Sequence, residues 1–358
     1  MKEIKLKLDF DDILITPNIN TKVTSRYKDV ILPTKLPLFT APMDTVVNLD
    51  NYNIFLQNKI FVTLPRTIKY AQFLEHCQNI NKFPKIFVSF GLEDLELYSK
   101  DNYNAFHSNA HILIDIANGH MQKIVEYSKE IKRLRPDITI MVGNIANPET
   151  YRWYVINNCV DYIRIGIGNG NGCLTTKQSG IGYPMASLIH DIKTIKTEIE
   201  TEFKNRNITL KLPAIIADGG MKDYSDIIKS LALGADFVMI GSIFNKAIES
   251  AADNYILKIK INKKIAKWLF TLGFPIKKKF RGMSTKEAQK AMGKKVFKTS
   301  EGVIRVRNVE YFLKGWIENF EHYLRNVMSY TNAKTLNEFI GKIEFCQISK
   351  NAYDRFNK

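Results

Sequence analysis

Eight short β-branched apolar runs, with amphipathic helical stretches between them and polar residues at most of their ends, predict an α/β chain folded as a single (β/α)8 (TIM) barrel. Alternating strand and helix segments imply parallel strands joined by crossover helices. Loops at the C-terminal ends of such strands carry the chemistry of a barrel. A doubly wound open sheet is the alternative, because periodicity does not decide whether a sheet closes.

The strand runs, in order, are Leu38–Ala41, Ile60–Leu64, Ile86–Phe90, Ile112–Ile116, Thr139–Gly143, Tyr162–Gly166, Ala214–Asp218 and Phe237–Gly241. Helical periodicity marks Ile124–Leu134 and Tyr224–Leu233. Asp44, Asp115, Asn118, Asn144, the loop after Gly166, Asp218-Gly219-Gly220 and Gly241-Ser242 follow strand ends. Residues 1–358 read as one catalytic domain. It carries a strongly basic insertion at about 247–280 and an active-site loop at about 281–307, with Ser284–Lys298 as a polar flap. A C-terminal helix is expected over Val309–Tyr330.

Composition narrows the class. With 45% hydrophobic residues and 358 positions, the chain can build a sizeable core. No apolar run approaches the roughly 18 residues of a membrane span, and the first nine residues alternate charged and apolar types, unlike a secretory leader. Cys77, Cys159, Cys173 and Cys346 form no CxxC pair, which points to a reducing, cytoplasmic setting and to buried structural roles for all but Cys173. A net charge of +16 attracts anions, but no nucleic-acid-binding motif accompanies it, so a solvated lysine-rich surface is the expected reading, with neither nucleic acid nor membrane as partner.

Cys173 stands in Gly166-Ile-Gly-Asn-Gly-Asn-Gly-Cys173-Leu-Thr175, framed by glycines that let the backbone approach a ligand closely. A cysteine presented this way reads as a nucleophile.

Asp9-Phe-Asp-Asp-Ile-Leu-Ile-Thr-Pro17, Ala41-Pro-Met-Asp44, Asp115-Ile-Ala-Asn-Gly119, the cysteine loop, Ile216-Ala-Asp-Gly-Gly220, Gly234–Gly241 and Arg281-Gly-Met283 fall in one order. Together they resemble the IMP dehydrogenase / GMP reductase family over about residues 8–345. The resemblance implies a purine nucleoside monophosphate substrate, a nicotinamide cofactor and a homotetramer. Two features are more similar to the reductase branch, with NADPH as cofactor. No tandem regulatory domain interrupts Ile60–Ile116, and the interval from Met283 to Glu301 is short and lacks an Arg-Tyr pair. A dehydrogenase with a shortened flap and a degenerate nucleotide-binding regulatory protein are the alternatives.

By the same resemblance, Cys173 attacks C2 of the purine, and Thr175 with Glu301 protonates the leaving ammonia. Asp218 bonds the ribose, and Gly219, Gly220, Gly241 and Ser242 cradle the phosphate. Arg281, Gly282, Met283 and Ser284 hold the purine edge, closed over by Lys298, Ser300 and Gly302. Asp115, Ala117, Asn118 and Arg66 belong to the nicotinamide side, and the carbonyls of Gly168, Gly170 and Cys173 to a K+ site. The chain departs from the family pattern at Arg66, where lysine is usual, at Asn169-Gly170-Asn171 in place of Pro-Gly-Ser, at Thr176 in place of arginine, and at Phe244-Asn245 in the phosphate loop.

Overall fold

The structure, a computed structural model, describes residues 5–80, 84–293, 299 and 302–356. Strands, in chain order, are β1 (Ile13–Ile15), β2 (Leu38–Thr40), β3 (Thr63–Leu64), β4 (Phe87–Phe90), β5 (His111–Asp115), β6 (Thr139–Ile145) and β7 (Tyr162–Ile165). They continue as β8 (Ala214–Asp218), β9 (Phe237–Ile240), β10 (Asn254–Ile256), β11 (Ile259–Ile261), β12 (Lys277–Arg281), β13 (Ile304–Asn308) and β14 (Phe345–Gln347). Strands β2 to β9 form one parallel sheet in the order β2-β9-β8-β7-β6-β5-β4-β3. A parallel bridge between Phe39 and Phe61 joins its two ends, with Thr40 N–H donating to Phe61 O and Phe61 N–H to Leu38 O at 2.9 Å each. The sheet therefore closes, and the open-sheet alternative falls.

Residues two apart on a strand share a face. Phe39, Phe87, Leu113, Met141, Ile216 and Met239 form one cluster inside the barrel, with Phe61, Tyr162 and Phe237 packed on it. The rings of Phe39 lie 4.9 Å from Phe61 and 5.3 Å from Phe237, so one end of the lumen is an aromatic plug. Two positions further along the same faces come Asp115, Arg164 and Asp218. The interior thus passes from an aromatic plug to a charged floor.

Helices cover the outside. Gln122–Leu134 buries Ile124, Val125, Tyr127, Ser128 and Ile131, the stripe expected of an amphipathic helix. Tyr224–Leu233 is capped by Asp223, whose carboxylate accepts from Ser225 and Asp226 N–H. The C-terminal helix begins at Leu313 rather than Val309, because Val309 N–H is bonded to Ile276 O at 2.8 Å and stays with the sheet. Its Trp316 packs on Tyr224 and Phe244 at 5.0 and 5.3 Å. Antiparallel β1 and β14 pair the two ends of the chain.

Outside the barrel rhythm, residues 247–308 build an antiparallel sheet in the order β11-β10-β12-β13. The helix Lys263–Thr271 packs on it around Ile248, Ala266, Ile276 and Val309. The flap expected over Ser284–Lys298 instead contains a helix, Lys286–Ala291, capped by Thr285; residues 294–298 lie outside the described residues.

Two readings of single residues change. Lys278 is not a solvated surface charge: it is fully buried, its ammonium donating to Ile248 O, Ser250 O and Ser250 Oγ at 2.8, 2.9 and 2.8 Å. Burial pushes its pKa down to about 7. Phe244 and Asn245, the departure in the phosphate loop, are both fully buried. Asn245 donates to Thr45 O at 2.9 Å. Cys346 is exposed on β14, whereas Cys77 and Cys159 are buried.

Candidate active site

The cysteine loop leaves β7 and turns back over the mouth of the barrel. Gly168 has φ +84, and a Cβ there would lie 1.7 Å from Thr176 Oγ1, so the loop requires glycine. Cys173 N–H donates to Gly170 O at 2.9 Å, closing a tight turn that presents the thiol. Cys173 Sγ donates to Thr175 Oγ1 at 3.2 Å. Val303 N–H bonds Gly172 O at 3.1 Å, and Cys173 bridges to Gly302. The β12–β13 hairpin thus holds the loop from above. A Cβ on Gly282 would lie 2.6 Å from Gly172 O, so this approach also depends on glycine.

Below the thiol lies the charged floor. Arg164, 5% exposed, donates from Nη1 to Asp115 Oδ1 and from Nη2 to Asp218 Oδ2, both at 2.7 Å. Arg66 Nε stands 3.2 Å from Asp115 Oδ2, buried and without an aligned hydrogen bond. Burial acts to raise the Asp115 carboxyl, but Arg164 and Arg66 beside it prevail and hold it below the usual carboxylate range. Burial likewise acts to lower the Arg164 guanidinium, and Asp218 and Asp115 outweigh it, leaving its pKa raised. The Asn144 amide donates to Gly166 O and Asp218 Oδ2 at 2.8 and 2.9 Å, and the residue lines the cleft beside Asp218. Sequence reading missed Arg164. Its signal was an arginine inside an otherwise apolar strand run, at a register facing the lumen.

A cleft of about 280 Å³ joins these parts. Of the residues read from sequence, Cys173, Thr175, Asp218, Gly219, Gly220, Gly241, Ser242, Gly282, Met283, Ser284, Asp115, Ala117, Arg66, Gly168 and Gly170 line it. Three do not. Arg281 is turned to Asp44, held by Nε–Oδ1 at 3.2 Å and a second, shorter contact, and to Glu287 at 3.2 Å. Its guanidinium fixes the hairpin to the β2 loop. Asn118 faces His120, with Oδ1 2.9 Å from Nδ1. Gly302 acts through its bridge to Cys173. Lys298, Ser300 and Glu301 lie outside the described residues.

Asn171, one of the departures in the cysteine loop, donates to Ser242 Oγ at 3.1 Å and so ties the loop to the proposed phosphate cradle. The Gly170 carbonyl accepts from the Cys173 amide at 2.9 Å, which uses one of its two lone pairs. A larger groove of about 980 Å³ runs along the helix Met185–Asn205 and contains none of the site residues.

Comparison with known proteins bears on this arrangement. The family model described as IMP dehydrogenase / GMP reductase domain matches residues 103–355. A GMP reductase of Caenorhabditis elegans is 26% identical over 98% of this chain and 94% of its own. GMP reductase 2 of Homo sapiens is 26% identical over 99% and 97%. A GMP reductase of Buchnera aphidicola is 27% identical over 99% and 98%.

Proposed function

Because the chain belongs to the IMP dehydrogenase / GMP reductase family, we propose that it is an NADPH-dependent GMP reductase, converting GMP to IMP and ammonia through a bond between Cys173 Sγ and C2 of the purine. The observation that carries this reading is the Cys173–Thr175 pair, 3.2 Å apart, at the mouth of a cleft that also contains Asp218 and the Gly241-Ser242 turn.

Cys173 Sγ lies 3.2 Å from Thr175 Oγ1, which puts that hydroxyl within reach to take the thiol proton first. Sulfur adds to C2, and the bond from C2 to the exocyclic nitrogen breaks. That nitrogen leaves as ammonia with a proton relayed by Thr175 and, by resemblance, Glu301. Asp218 is fixed by Arg164 and Asn144, and its remaining lone pairs suit two ribose hydroxyls. Backbone N–H groups at Gly219, Gly220 and Gly241 and the Ser242 hydroxyl suit the phosphate. NADPH, when bound, supplies the hydride that reaches C2 as the carbon–sulfur bond breaks and the thiolate leaves.

The Asp115 side fits that cofactor. Arg66 Nε is a buried donor with no aligned partner, which an amide or phosphate oxygen would satisfy, and Ala117 keeps the wall shallow. At about 280 Å³ the cleft sits at the lower end of small-molecule sites, room for one nucleotide, with the cofactor approaching from its open side.

The test is oxidation of NADPH by purified protein with GMP, with IMP and ammonia measured as products. Cys173→Ala is expected to abolish turnover while leaving GMP binding intact. XMP formed from IMP and NAD, with no reaction of GMP, would reassign the chain to the dehydrogenase branch.

A further inference from the structure

The insertion that begins after the phosphate loop carries a surface unrelated to the cleft. Between Asp253 and Glu287 the chain has nine lysines, one arginine and no carboxylate. Among the described residues, Lys258, Lys264, Lys267 and Lys277 make no ion pair. The helix Lys263–Thr271 turns Ala266, Leu269 and Phe270 toward its small core. A second apolar stripe points outward: Ile265, Trp268 and Leu272, at i, i+3 and i+7, are 46%, 62% and 55% exposed. Leu257 at the β10–β11 turn and Phe274 after the helix are exposed as well. Lys264 and Lys267 lie on the helix flank next to this stripe.

We propose that this face docks on an anionic lipid surface, with Trp268, Ile265 and Leu272 entering the headgroup–acyl boundary and the unpaired lysines meeting the lipid charge. Both halves of the patch need a counterpart. The same patch on a second copy would set Lys264 and Lys267 against like charge, with no carboxylate between Asp253 and Glu287 to meet them. A nucleic acid would match the lysines but gain nothing from exposed Leu257, Ile265 and Leu272. An acidic leaflet satisfies both, since interfacial helices combine a lysine face with Trp, Phe and Leu. This proposal is independent of the reaction assigned to the cleft.

The experiment is flotation of the full-length protein with phosphatidylcholine vesicles and with vesicles containing phosphatidylserine. Binding is expected only to the acidic vesicles, weakening as salt rises, with a blue shift of tryptophan emission that Trp268→Ala removes. Each lysine neutralised near such a surface is expected to weaken binding by about fivefold, so Lys264→Gln combined with Lys267→Gln should weaken it about 25-fold. The affected positions are exposed, and circular dichroism and melting confirm that each variant folds. Failure to float with acidic vesicles overturns the proposal. So does a change of oligomeric state in Trp268→Ala, or preferential binding of single-stranded RNA that Trp268→Ala leaves unchanged.

Discussion

Replacing Arg164 by methionine removes the one cation that joins Asp115 to Asp218. The side chain is 5% exposed, so methionine occupies similar space, but the two carboxylates lose their shared partner. Removing one member of a buried ion pair costs about 3–5 kcal/mol. Two pairs break here, yet Asp115 keeps Arg66 at 3.2 Å and Asp218 keeps the Asn144 amide at 2.9 Å, which holds the loss within that range. An unfolding entropy of about 2.1 cal/mol/K per residue gives about 0.75 kcal/mol/K for this chain, so the melting midpoint should fall by about 4–7 °C. Calorimetry of Arg164→Met measures it. In an Asp218→Asn background one uncompensated carboxylate is gone, and the same replacement should cost about 1–2 kcal/mol less. A midpoint within about 1 °C of wild type, or an equal loss in both backgrounds, would refute the coupling.

Gly168→Ala should leave the barrel folded but displace the cysteine loop, lowering kcat about 100-fold, as misplacement of a reacting group by about 1 Å does; a wild-type kcat would show that the loop tolerates a side chain there. Lys278 has a pKa of about 7 when folded, against an ordinary 10.5. Between those values the unfolded chain holds a proton that the folded chain lacks, so its contribution to stability rises from pH 7 to 10.5 and is flat below 7. Lys278→Met should remove that part of the slope in denaturant midpoints measured against pH, and parallel curves for the two proteins would refute the assignment.

The barrel was legible because all eight strands are β-branched runs buried on both faces, a pattern with few alternatives at that length. The Ile60–Leu64 run shrank most, to Thr63–Leu64, where Phe61 pairs as an isolated bridge. The sheet β10–β13 was not legible. Its strands β11 and β13 are largely exposed, so no buried stripe marks them. In the site, the cysteine loop announced itself by its glycines, whereas Arg164 was hidden because strand periodicity records which face a residue occupies, not which partner it finds there. Arg281 misled for the complementary reason: its sequence neighbours line the cleft, but its charge is drawn to Asp44 on a distant loop.

The pairing of β1 with β14 sets Ile13 opposite Gln347, nearly the full chain apart, and Ile348 N–H bonds Asp12 O at 2.9 Å. On the ribosome this seam is the last to be sewn. At about 5–20 residues per second, synthesis leaves the opening segment waiting roughly 20–70 s for its partner. Over that interval, nearly the whole of synthesis, the edge of β1 stays open to other strands, and a truncation that removes β14 leaves it open for good.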